Sequence, residues 1–142
     1  MTKDFFHTIK TEVKDVLFKE KNSKFYGFAF PIKTQEDVKK HLLEVKNLHP
    51  QAGHYCFAWQ LGVEEISYRV SDDGEPSHSA GMPIYGQIRA AQITNTLIII
   101  VRYFGGIKLG VGGLIKAYRT TAQDTIEAGT IVKKKRVKTL QI

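Results

Sequence analysis

Cysteine is nearly absent from this chain: Cys56 is the only one among 142 residues. A lone thiol cannot close an intrachain disulfide, and such usage fits a reducing compartment, so a cytoplasmic location is expected. Long apolar runs are missing as well. The run "LIIIV" at 97–101 stops at Arg102, far short of the roughly 20 residues a membrane helix needs. The opening "MTKDFFHTIKTEVKD" alternates charges and lacks the apolar centre of a secretory signal. Acidic residues are also in short supply, with 14 Asp and Glu against 21 Lys and Arg, giving a net charge of +7. The imbalance is concentrated: residues 105–142 hold eight basic residues against two acidic ones, whereas 51–104 hold three against five. A field of that sign attracts polyanions, so RNA, ribosomes and acidic protein surfaces are the partner classes it admits.

What is present is enough for one folded domain. A hydrophobic fraction of 42% with 11% aromatics excludes disorder along the whole chain. Periodicity supplies a map. The segment "VLFKEKNSKFYGFAFPI" (16–32) reads as two strands with a turn near Asn22 and Ser23. Thr34 before "QEDVKKHLLEVKNL" reads as an N-cap and helix, with Val38, Leu42 and Val45 on one face. "HYCFAWQLG" and "EEISYRV" form an expected antiparallel pair. The turn-rich "SDDGEPSHSAGMP" leads to a short helix near 83–91, with Pro83 at its first position. "TLIIIVRYF" reads as a central strand. A helix over about 111–128 should bury Val111, Ile115, Tyr118, Ala122 and Ile126. The order ββ-α-ββ-α-β-α predicts an α+β fold, a sheet with helices on one face.

Chemistry is concentrated in "VRYFGGIKLGVGGLIKAY", where Gly105, Gly106, Gly110, Gly112 and Gly113 fall within nine residues. The spacing matches neither GxxxxGK[ST] nor GxGxxG, which disfavours a nucleotide site, and no cofactor is expected. Glycines at a helix start let backbone N–H groups converge on an oxyanion, with Lys108 and Lys116 adding point charges. The same glycines also suit close packing of strand on helix. Arg102, in an apolar strand, needs a partner, and the acidic loop Asp72, Asp73 and Glu75 offers one. That loop lacks the D-x-D-x-D-G spacing of calcium sites, so no metal is expected. No catalytic residue is assigned. His54 and Cys56 share a strand face, but "YCFAW" is the setting of a buried, inert thiol. Ser77 and Ser79, near His78, have no nucleophile arrangement around them.

Taken together and in order, "HYCFAW", "SDDGEPSHSAGMPI" and "VRYFGGIKLGVGGLIKAY" resemble the IMPACT/YigZ family over about residues 12–128. Members commonly read Arg-His-His-Cys where this chain has Gly53-His54-Tyr55-Cys56, so only His54 carries over there. The resemblance implies a fold similar to the second domain of ribosomal protein S-five. It also implies an amino-terminal domain over 1–128, with 129–142 a basic tail or a connection to a ferredoxin-like domain. Eukaryotic relatives regulate translation initiation, and the resemblance implies RNA or ribosome-associated proteins as partners, with no membrane. The motif loop of His54, Asp72, Asp73, Glu75, Ser77 and Ser79 then lies beside an anion or nucleic-acid site. That site comprises Arg102, Lys108, Lys116 and the five glycines. A small hydrolase or transferase with an anion pocket, and a protein-interaction module using Tyr103 and Phe104, are the competing readings.

Overall fold

The structure is a computed structural model that describes residues 4–136. Its elements in chain order are β1 (Phe5–Ile9), β2 (Val13–Glu20), β3 (Ser23–Pro31), α1 (Gln35–Leu48), β4 (His54–Leu61), β5 (Ser67–Ser71), α2 (Gly81–Ala90), β6 (Thr96–Tyr103), α3 (Gly110–Ala128) and β7 (Ile131–Lys135). Strands β2 to β6 form one antiparallel sheet in the order β2-β3-β6-β4-β5. The α+β class is as the sequence predicts. Strand β6 is central and buried from Thr96 to Arg102, which is why it reads as a continuous β-branched run rather than an alternating one.

Two clusters sandwich that sheet. On one face Ile98 and Ile100 meet α2 and α3 through Ile84, Ile88, Leu114, Tyr118, Ala122 and Ile126. On the other, Leu97, Ile99 and Val101 pack with Phe28, Phe30 and Trp59, and α1 contributes Val38 and Val45. Helices α2 and α3 therefore share a face as expected, while α1 covers the reverse side. Thr34 caps α1 in a reciprocal box: Asp37 N donates to Thr34 Oγ1 at 3.3 Å, and Thr34 N to Asp37 Oδ2 at 3.1 Å. The β2–β3 turn places Lys21 and Asn22 at φ 45° and 68°, the double left-handed turn that matches strand twist.

Three features differ from the sequence reading. Helix α2 starts at Gly81, so Pro83 is its third residue, not its first. The N–H that proline lacks would still be free within the first turn, so the position tolerates it. Val111 stays 51% exposed, and the buried stripe of α3 runs through Leu114, Ala117, Tyr118, Thr121, Ala122, Thr125 and Ile126. Finally, residues 131–135 of the segment read as a tail form β7, paired antiparallel with β1, Phe5 opposite Lys135 and Ile9 opposite Ile131. Residues 137–142 of that segment lie outside the described ones. Among the described residues, no helix is long and apolar enough to cross a membrane.

Candidate functional site: a buried polar knot beside an open helix start

Strand register brings the first motif to the last: His54 lies opposite Arg102, on the β4–β6 ladder. Arg102 emerges on the α2–α3 side, after Ile98 and Ile100, where a guanidinium must be matched. Its match is Glu75. Arg102 Nη1 donates to Glu75 Oε1 and Oε2, both at 2.9 Å, and Nη2 to Ser23 Oγ at 3.3 Å. Both side chains are more than nine-tenths buried. Tyr118, from α3, donates to Glu75 Oε2 at 2.5 Å. His54 Nδ1 donates to the Asp73 carbonyl at 2.8 Å, leaving Nε2 3.5 Å from Glu75 Oε1. The three sequence motifs thus converge on one carboxylate.

Arg102 does not hold the whole acidic loop. Asp72 turns the other way: its Oδ1 accepts from Ala80 N at 3.1 Å and Gly81 N at 2.8 Å, its Oδ2 from His78 N at 2.9 Å. It is the cap of α2, which explains the early start of that helix. Burial works against the Asp72 charge, but these N–H donors outweigh it and hold the carboxyl below its ordinary range. Asp73 Oδ2 accepts from Tyr55 N at 2.7 Å, fastening the loop to β4. Ser79 is buried and donates to the Pro76 carbonyl at 2.5 Å, whereas Ser77 is exposed.

Nothing in the knot is an activated nucleophile. Cys56 is fully buried, and its thiol donates to the Asp72 carbonyl at 3.1 Å. Burial pushes that thiol well above its ordinary range, and the nearby carboxylates push the same way. Burial likewise pushes the Tyr118 phenol up, with Cys56 and Glu75 adding to it, so Tyr118 remains a neutral donor. Three surface hollows are each lined by residues outside this knot. Elsewhere, Glu12, His41 and Glu44 bring possible metal-ligand atoms within 4.8 Å of one another. There Lys14 already meets Glu44 at 2.8 Å and Glu12 at 3.5 Å.

The glycine stretch divides in two. Gly105 is a packing residue: a Cβ there would lie 2.0 Å from the Asn22 carbonyl carbon, and its N–H donates to Ser23 Oγ at 3.3 Å. Gly106 and Gly110 take φ 89° and 72°, and a Cβ at either, or at Gly112, would meet nothing within 4 Å. Gly113 sits under Leu109. Helix α3 begins without a side-chain cap and without an acid in its first turn, and Lys108 and Lys116 are both exposed. Arg102, by contrast, is withdrawn from solvent with its charge met, and offers nothing to an external anion. Phe104 is 59% exposed, while Tyr103 donates to or accepts from His49 Nδ1 at 2.6 Å.

The sequence reading missed Tyr118 and Ser23 as members of the knot. Tyr118 carried a signal, since a tyrosine in an apolar helical stripe needs a partner for its hydroxyl. Ser23 carried none, because only the β3–β6 register brings it beside Arg102.

The sequence model of the Impact N-terminal domain matches residues 21–126, a span that contains every member of the knot. The chain belongs to this family. "IMPACT family member YvyE" of Bacillus subtilis (strain 168) is 32% identical over 130 residues, covering 92% of this chain and 59% of that relative. The chain thus spans well under two thirds of that relative's length. A solved structure described as a hypothetical protein matches with TM-score 0.86 and 30% identity, over 94% of this chain and 66% of the other. The two-domain translational regulator Yih1 shares the fold, with TM-score 0.56 and 21% identity over 84% of this chain and 48% of its own.

Proposed function

We propose that this domain acts in translation, in the cytoplasm, by binding RNA or an RNA-bearing surface of the translation machinery through the start of α3. The observation that carries the reading is the open helix start, uncapped and free of acids, between exposed Lys108 and Lys116. The buried knot supports it from below, fixing β6 and the motif loop so that the glycine segment leaves the sheet in one direction. A relative of this fold, Yih1, is a translational regulator. Binding to ribosomal RNA fragments measured at several salt concentrations tests the proposal. Affinity should fall with salt, and Lys108→Ala with Lys116→Ala should reduce the slope of log K against log[salt] by about 1.4, at about 0.7 per lost contact with single-stranded RNA. An unchanged slope in that double variant rejects the α3 start as the contact.

A further inference from the structure

The ribbon of β1 and β7 creates a surface that no motif announces. Between it and the start of α1 lies a hollow of about 800 Å³, lined by Lys10, Lys33, Lys40, Lys134, Lys135 and Arg136 among others. These six cations come from four separate parts of the chain. Arg136 is paired with Glu64 at 3.0 Å, but among the described residues none of the five lysines is in an ion pair. The one acid lining the hollow, Asp37, already accepts the N–H groups of Lys33 and Thr34 at 2.8 and 3.1 Å. Those bonds hold its carboxyl below the ordinary range. The hollow is concave and predominantly cationic, with Asp37 the one negative group in its lining.

A second hollow of about 530 Å³ meets the first, sharing Phe6 and Val63 in its lining. Its character is aromatic. Tyr68 and Tyr85 stack face to face, with centroids 4.3 Å apart and planes within 6°. Tyr85 is buried and pinned by its hydroxyl to Gln60 Oε1 at 2.7 Å, whereas Tyr68 is 53% exposed. Arg89 lines the same hollow and no acid does.

We infer that the two hollows form one binding track for single-stranded nucleic acid, with the lysines along its phosphates and Tyr68 under a base. A cationic groove leading to an aromatic platform is the arrangement single strands require, because backbone and base face are then read side by side. A duplex keeps its base faces within its own stack, and an acidic peptide has no use for a preformed ring stack. The inference goes beyond the reading given above: it concerns a different surface and does not need the α3 start to bind anything.

Fluorescence anisotropy with a labelled 12-nucleotide single-stranded RNA, at salt from 50 to 300 mM, is the test, with the matching DNA strand, a duplex and polyglutamate as competitors. Tyr68→Ala should weaken binding about 5- to 150-fold, corresponding to the loss of one stacked base, with the salt slope unchanged. Tyr68→Phe, which keeps the ring, should bind as the unaltered protein does. Lys134→Glu with Lys135→Glu should weaken binding at least tenfold and flatten the salt slope. All three positions are exposed, and unchanged circular dichroism and melting temperature would show that folding is intact. Binding that ignores both the Tyr68→Ala and lysine changes overturns the track, whether or not Lys108→Ala with Lys116→Ala abolishes it. Competition by the duplex or polyglutamate as strong as by single strands overturns it as well.

Discussion

Arg102 Nη1 lies 2.9 Å from both carboxylate oxygens of Glu75, and neither side chain is more than 7% exposed. A pair removed from water in this way contributes less to stability than it would cost to break. Glu75→Gln keeps the shape but leaves the guanidinium buried without a counter-charge. That variant should lose about 3–5 kcal/mol, measured by urea denaturation. Replacing the pair together, as Arg102→Met with Glu75→Leu, should recover part of the loss, because no lone charge remains. A single Glu75→Gln variant as stable as the unaltered protein would show that the pair does not anchor the loop.

Cys56 tests the knot from another side. Its thiol is buried, pushed up in pKa and engaged with the Asp72 carbonyl. Iodoacetamide at neutral pH should therefore leave the folded protein unlabelled and modify it fully in urea. Mass spectrometry reads the outcome directly. Rapid native labelling would mean that the knot opens, and it would revive a thiol-based enzyme as a candidate.

Gly105 and Gly112 should respond in opposite directions to the same substitution. A Cβ at Gly105 would penetrate the Asn22 backbone, with 2.0 and 2.1 Å to its carbonyl carbon and oxygen. Gly105→Ala should destabilise by about 1–3 kcal/mol or more, since backbone cannot step aside as a side chain can. Gly112 lies within α3 with nothing within 4 Å of a Cβ. Gly112→Ala should stabilise by about 0.4–1 kcal/mol, by restricting the unfolded chain. Equal effects at the two positions would contradict the division of the glycine stretch into a packed and an open part.

Local chemistry made much of this legible in sequence. The Thr34 cap, the β2–β3 turn and the buried run of β6 each follow from neighbouring residues, and periods of two and 3.6 separate strand from helix. Long-range matches were not legible. Strand β7 is "IVKKK", with no alternation to announce it, and it becomes a strand only because β1 lies opposite. The start of α2 depends on Asp72, eight residues before Ala80 and nine before Gly81. Arg102 called for an acid nearby, but nothing in "SDDGEP" distinguishes Glu75 from Asp72 or Asp73. The basic groove is least visible of all, since Lys10, Lys33, Lys40 and Lys134 share no spacing until the ribbon gathers them.

The cap on α2 should make part of the stability depend on pH in a predictable sense. Asp72 has its carboxyl lowered below 3.8 in the folded protein by the N–H groups of Gly81, His78 and Ala80, which outweigh the opposing effect of burial. The folded state therefore holds the proton less tightly than the unfolded state. Its contribution is complete above about pH 4, the unfolded value, and is lost as pH falls through the lower folded value. Asp72→Asn keeps one acceptor oxygen but removes the charge, and should cost about 1 kcal/mol at pH 7. Other carboxyls titrate in the same acid range, so the informative quantity is the difference between the two proteins' unfolding free energies at each pH. That difference should be flat from pH 7 to 5 and shrink below pH 4. A difference that grew on acidification would mean that Asp72 takes up its proton more readily folded than unfolded, and the cap would have to be redrawn around a neutral carboxyl.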